Sequence, residues 1–196
     1  QLLFKYLIDA EKKEECDIVG CFKDEEIFKD LHDIYYKEDF EINCVLIQSL
    51  SILLVNISKN KQFLYYVLSN NFVNDLLLID YSKYDDEYYS YYINFLKSLA
   101  MRLDKETINL LYLHKINSFP IVDCAINLYN YSNAMTRTVV NNILLTILKS
   151  NINMAYEHFY KLPTINYFCF IGTRLKYLFE DLYNKINNID PYEDII

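Results

Sequence analysis

The 196-residue chain is short of the residues that bend and interrupt a backbone, with 2 glycines, 3 prolines and no tryptophan. An average chain of this length carries roughly 20 to 25 glycines and prolines together. Hairpin turns need Gly, Asn or Asp at positive φ, and phosphate-cradling loops need several glycines close together. The shortage therefore argues against sheet-rich folds and against dinucleotide-binding and P-loop enzymes. The composition of a disordered segment is lacking too, because 53% of the residues are hydrophobic and 23% are charged. A folded and mostly helical chain is expected. At this length it can bury about 70% of its unfolded surface without help from disulfides or metals.

The cysteines, Cys16, Cys21, Cys44, Cys124 and Cys169, are odd in number, widely spaced and mostly set in apolar runs. They read as buried reduced thiols of a cytosolic or nuclear protein. The first residues lack a basic start followed by an apolar core, so no secretory signal is expected. Ile42 to Ser58 runs 17 residues without a charge but contains Asn43, Gln48, Asn56 and three serines. It falls short of a membrane span and reads as a buried helix.

The net charge of −8 is unevenly placed. Residues 1–41 hold 13 acids and 6 bases, residues 42–175 hold 9 and 11, and residues 176–196 hold 5 and 2. The middle of the chain is close to neutral, and no Lys/Arg stripe marks a nucleic-acid surface.

Residues 11–41 read as an acidic stretch around one short helix, Glu26 to Tyr36, with Ile27, Leu31, Ile34 and Tyr35 at helical spacing and Gly20 as a break before it. From Asp39 the pattern describes a helix with a broad buried face and a narrow polar side of Ser49, Ser51 and Asn56. Gln62 to Ser69 follows, closed by Asn70 and Asn71, residues that tolerate left-handed conformations. Phe72 to Ile79 is the next helical unit. Ser82 and Asp85-Asp86-Glu87 look like the capped start of a helix running to Arg102. Asp104 is a candidate N-cap for a helix carrying Ile108, Leu111 and Tyr112. Pro120 can open a helix to Tyr129, Ser132 or Asn133 can cap the one with Val139, Ile143 and Ile147, and Pro163 precedes Ile165 to Ile186. Nine or ten helices with short connectors suggest an all-α fold, an irregular armadillo- or HEAT-like stack.

No constellation of catalytic residues is legible. His32, His114 and His158 form no metal-ligand spacing, and Cys16 and Cys21 with His32 lack an obvious fourth ligand. No nucleophile elbow surrounds Gly172-Thr173. The acid pairs Glu14-Glu15, Glu25-Glu26 and Asp85-Asp86 sit in solvated strings of charge. No enzyme activity, metal or cofactor is expected. The cluster Tyr84, Tyr88, Tyr89, Tyr91 and Tyr92 has two readings, an aromatic contact surface or the codon bias of an AT-rich genome, with Tyr88 and Tyr92 in the core.

The words of the sequence resemble a known family. "FLYYVLSNNFVNDLLL" and "YDDEYYSYYINFLKSLAMRL" carry Tyr65, Asn70, Asn71 and Tyr92. "SFPIVDCAINLYN" holds Phe119-Pro120-Ile121, and "NAMTRTVVNNILL" places Met135 and Arg137 on a Met-x-Arg pattern. Gly172 follows Ile171, shortly after Tyr167-Phe168. Together these are similar to the FPL domain of the endosomal maturation family, also called C-type lectin domain family 16 member A, with Phe-Pro-Ile in place of Phe-Pro-Leu. The resemblance divides the chain into an acidic segment 1–38, an FPL-like domain 39–188 and an acidic tail 189–196.

That resemblance implies an armadillo-type helical domain without an active site. It also implies a cytoplasmic protein peripherally associated with endosomal, lysosomal or Golgi membranes. The expected role is a scaffold for endosomal and lysosomal trafficking and autophagy, including mitophagy, with partners in vesicle-tethering, autophagy or ubiquitin-ligase complexes. The alternative is direct peripheral membrane binding, for which a polybasic run or basic amphipathic helix is missing. Candidate partner contacts are Arg137, Tyr89 and Tyr91, and the other family-like residues are expected to be mainly structural. Oligomeric state is not legible.

Overall fold

The computed structural model describes residues 1–13, 20, 22, 27–35, 39–57, 60–80, 85–129 and 133–187. Among them are eleven α-helices and no β-strand element. These are α1 (Leu2–Lys13), α2 (Ile27–Tyr35), α3 (Phe40–Asn56), α4 (Lys61–Ser69), α5 (Asn71–Leu77) and α6 (Asp86–Ala100). They continue with α7 (Lys105–Leu110), α8 (Pro120–Tyr129), α9 (Ala134–Lys149), α10 (Asn153–Phe159) and α11 (Leu162–Asn187). The all-α expectation holds, while α1 and α10 are additions to the helices expected. The chain divides into two compact units, Gln1–Tyr156 and Glu157–Ile196.

Six of the eleven helix starts share one chemical device. Asp39, Asn60, Asn70, Asp85, Asp104 and Asn133 each accept a backbone N–H from the first turn of the following helix, at 2.8–3.1 Å. An Asx oxygen here satisfies a donor that the helix itself leaves unpaired. Asp104 adds a capping box, because its own N–H donates to Thr107 Oγ1 at 2.7 Å. Pro120 is the first residue of α8 and Pro163 lies in the first turn of α11, where a missing N–H costs nothing. Ser82, Ser132 and the cysteine pair Cys16 and Cys21 lie outside the described residues, as do the acid pairs Glu14-Glu15 and Glu25-Glu26, Tyr84 and the tail 189–196.

In the larger unit, α3 and α6 pack most extensively, and α9 packs on both α6 and α8. Tyr88, Tyr92, Phe95, Leu96 and Leu99 of α6 are fully buried, as are Ile47, Leu50, Leu53 and Leu54 of α3. Each such side chain contributes about 1.5–3 kcal/mol relative to exposure. The two buried tyrosines keep their hydroxyls paired: Tyr88 with Tyr35 at 2.5 Å, and Tyr92 donating to the Leu76 carbonyl at 3.2 Å.

Several local expectations are corrected. Ser49 and Ser51 are not a polar outer side of α3. Both are buried, and their hydroxyls donate to the carbonyls of Val45 and Ile47, four residues back, at 2.7 and 2.8 Å. With their polarity satisfied within the helix they can face the core, and Ile42, Val45, Ile52 and Val55 are left exposed instead. In α2 the buried residues are Phe28, Leu31 and Tyr35, whereas Ile34 is exposed and Ile27 half-buried. Phe28 is held in an aromatic cluster with Phe22 and Tyr66, at centroid distances of 5.3 and 5.6 Å.

Asn70 is not left-handed either, because its φ of −76° and ψ of 132° are extended, and Asn71 is already helical. The left-handed role falls to Asn117 and Asn151, the two non-glycine residues with positive φ among the described residues. Asn117 closes a 3₁₀ turn, His114–Ile116, bracketed by a bridge between Leu113 and Ser118. Gly20 is helical rather than a break.

Candidate functional site

The three candidate contacts do not form one patch. Tyr89 and Tyr91 are two residues apart on α6, about 200° around the helix axis. Tyr89 is half-buried, and its hydroxyl lies 3.0 Å from Thr136 Oγ1 in the first turn of α9. Thr136 is fully buried, and its hydroxyl also meets the N-cap Asn133 Oδ1 at 2.9 Å. Asn133, Thr136 and Tyr89 therefore tie the start of α9 to α6. Arg137 follows on the same turn, half-buried, and Met135 precedes Thr136 with 48% of its surface exposed.

Tyr91 belongs to another face. Its hydroxyl donates to Glu87 Oε1 at 3.4 Å, and the Glu87 charge, with burial and this hydrogen bond, raises the phenol pKa. Cys44 of α3 is raised first by burial and then by Glu87 and Asp85. A raised thiol pKa means a less reactive cysteine at neutral pH.

The family-like residues are mostly packing and capping groups. Phe119 and Ile121 are buried, and Phe119 meets Tyr112 edge-on at 5.5 Å. Asn70 caps α5, and Tyr92 lies in the core with its hydroxyl 3.3 Å from Cys124 Sγ. Tyr65 donates to Glu106 across α4 and α7, and that hydrogen bond to a carboxylate pushes its pKa up to about 12. Met135 and Gly172 are exposed.

One structural residue was not legible from sequence. Arg102 donates from Nε to the Leu54 carbonyl and from an Nη to the Val55 carbonyl, both at 2.5 Å, and so caps the end of α3. No sequence signal joins groups 47 and 48 residues apart. A groove of about 520 Å³ between α1 and α3 is lined by Leu2, Phe4, Ile8 and Ile52 together with Lys5 and Asp9. Among the described residues, no three His, Cys, Asp or Glu side chains come together to hold a metal ion, and no helix is long and apolar enough to cross a membrane.

Fold and surface together define a helical module whose conspicuous polar groups mainly cap and connect helices. The chain belongs to the FPL family, described as an uncharacterised conserved protein, whose pattern matches residues 1–148. It is 37% identical to human Protein CLEC16A over 139 residues, 67% of this chain and 13% of that protein. It is 38% identical to the Caenorhabditis elegans Protein CLEC16A homolog over 121 residues, 60% of this chain and 14% of that protein. With Arabidopsis thaliana Protein TRANSPARENT TESTA 9 it shares 30% identity over 130 residues, 65% of this chain and 15% of that protein. The chain thus spans about a seventh of the length of these curated relatives. No solved structure matches it.

Proposed function

We propose that the chain is a non-catalytic scaffold domain, an irregular armadillo- or HEAT-like stack, that binds proteins of endosomal and lysosomal trafficking and autophagy. Family membership supports the class of process through the resemblance described above. The observation that carries a binding role is the first turn of α9, where exposed Met135 and half-buried Arg137 flank a buried Thr136 fixed by Asn133 and Tyr89. Met, Arg and Tyr are the residue types enriched at the centres of protein interfaces, and a hydrogen-bonded base holds them at low entropic cost.

The test compares the full chain with Met135→Asp and Arg137→Glu as bait in the lysate of its own organism. The expected result is recovery of vesicle-tethering or autophagy components by the parent chain and at least tenfold less by the variants, with unchanged melting temperatures. Recovery of no such component sinks the reading. Salt-sensitive flotation on anionic vesicles with no protein partner would replace it with direct membrane binding.

A further inference from the structure

In the smaller unit, α11 is 26 residues long, yet only Thr164 and Tyr167 in its first two turns are buried. From Phe168 onward five of its apolar residues follow a seam at alternating steps of three and four, Phe168, Ile171, Leu175, Leu178 and Leu182, with Phe179 and Ile186 along its edge and Phe170, Tyr177 and Tyr183 on other sides of the helix. That is the spacing of a coiled-coil core, with the same seam position reached next at Lys185. Phe168, Leu175, Leu178 and Leu182 are 40–57% exposed. We propose that this seam joins two copies of the chain, with the α11 helices antiparallel.

The orientation follows from what each register sets face to face. In a parallel pair Lys185 would meet Lys185 of the second copy inside the seam, and Arg174 and Asp181 on its edge would meet Phe179 and Ile186. The antiparallel register that sets Leu175 against Leu178 reverses all three. Lys185 then lies opposite Phe168, whose ring face can take a cation. Arg174 lies opposite Asp181, and the dyad makes that pair twice. Phe179, 68% exposed, lies opposite Gly172, where even an added Cβ would meet nothing within 4 Å. Ile186 lies opposite Ile165, both exposed. Lys185 already donates to Asp181 Oδ2 at 2.7 Å, and a carboxylate has further acceptor sites for Arg174 of the second copy.

Size sets the strength. Phe168 to Ile186 spans about 27 Å at 1.5 Å per residue, on a helix about 10 Å wide. Such a strip is smaller than the roughly 1,600 Å² of a standard stable interface, so a weak and reversible dimer is expected.

Sedimentation velocity of the full chain from about 5 to 500 µM tests the proposal. The expected result is a reversible monomer–dimer equilibrium that Leu178→Asp abolishes. Arg174→Asp and Asp181→Arg each weaken it at least about tenfold, and the double variant returns to within about threefold of the parent. Helicity by circular dichroism confirms that each variant keeps its fold. A parent chain that stays monomeric throughout overturns the proposal and leaves the seam to a different partner. A dimer that the double variant fails to restore also overturns it, because the parallel register contains no such charge pair.

Discussion

Tyr65 donates its hydroxyl to Glu106, and that one contact moves a titration. The hydrogen bond to the carboxylate, then partial desolvation and the charges of Glu106 and Asp104, raise the phenol from 10.0 to about 12. For a group whose pKa rises on folding, the stabilisation is complete below the unfolded value near 10 and fades as pH climbs through about 12. Glu106→Gln should bring the ionisation back toward 10, read as near-ultraviolet difference absorbance after subtracting a Tyr65→Phe control. An unmoved ionisation would show that Glu106 does not set it. The same scale explains why the tyrosine cluster is not one surface. Tyr88 and Tyr92, four apart, share the buried side of α6, whereas Tyr89 reaches α9 and Tyr91 turns back to Glu87. The sequence shows this periodicity. It does not show that the neighbour of Tyr89 is Thr136.

At the scale of the element, six helix starts are written locally, in an Asp or Asn cap. Asp104 is the best furnished of the Asx caps. Burial acts to raise its pKa, but hydrogen bonds from Thr107 and Glu106 and the charge of Lys61 outweigh it and hold the carboxyl below its ordinary value. Asp104→Ala should destabilise the fold by about 1 kcal/mol at neutral pH, measured by urea denaturation. A group with a lowered pKa stabilises above its unfolded value of about 3.8, and this is lost as pH falls through the folded pKa. The difference between parent and variant should therefore shrink in acid, and a constant difference would refute the ionic part of the cap. Asp104, Pro120 and, as one of two alternatives, Asn133 were legible, and Asp39 and Asp85 stand where helices were expected to begin, because a cap depends on neighbours within four residues. Ser49, Ser51 and Ile34 were not, because the side of a helix that faces inward is decided by what packs on it. Ser49 and Ser51 could turn inward only because each reaches a carbonyl of its own helix.

At the scale of the molecule, a −8 chain holds a near-neutral middle, and residues 42–175 run from the first turn of α3 into α11 and hold most of the core. The most extensive pairing, α3 with α6, joins segments far apart in sequence, whereas the next, α8 with α9, joins consecutive helices. Arg102, just past the end of α6, spans the pairing of α3 with α6, since its carbonyl partners Leu54 and Val55 belong to α3. A contact that forms after the two helices have packed would act on unfolding rather than folding. Arg102→Ala should lose about 1.5–3 kcal/mol of stability, as expected for charge-assisted hydrogen bonds. Stopped-flow chevrons should place nearly all of it in a faster unfolding rate, with folding barely slowed. A variant that folds slowly and unfolds normally would instead put Arg102 in the folding nucleus. With the change confined to unfolding, the arginine would govern how long a folded copy lasts rather than how quickly one is made.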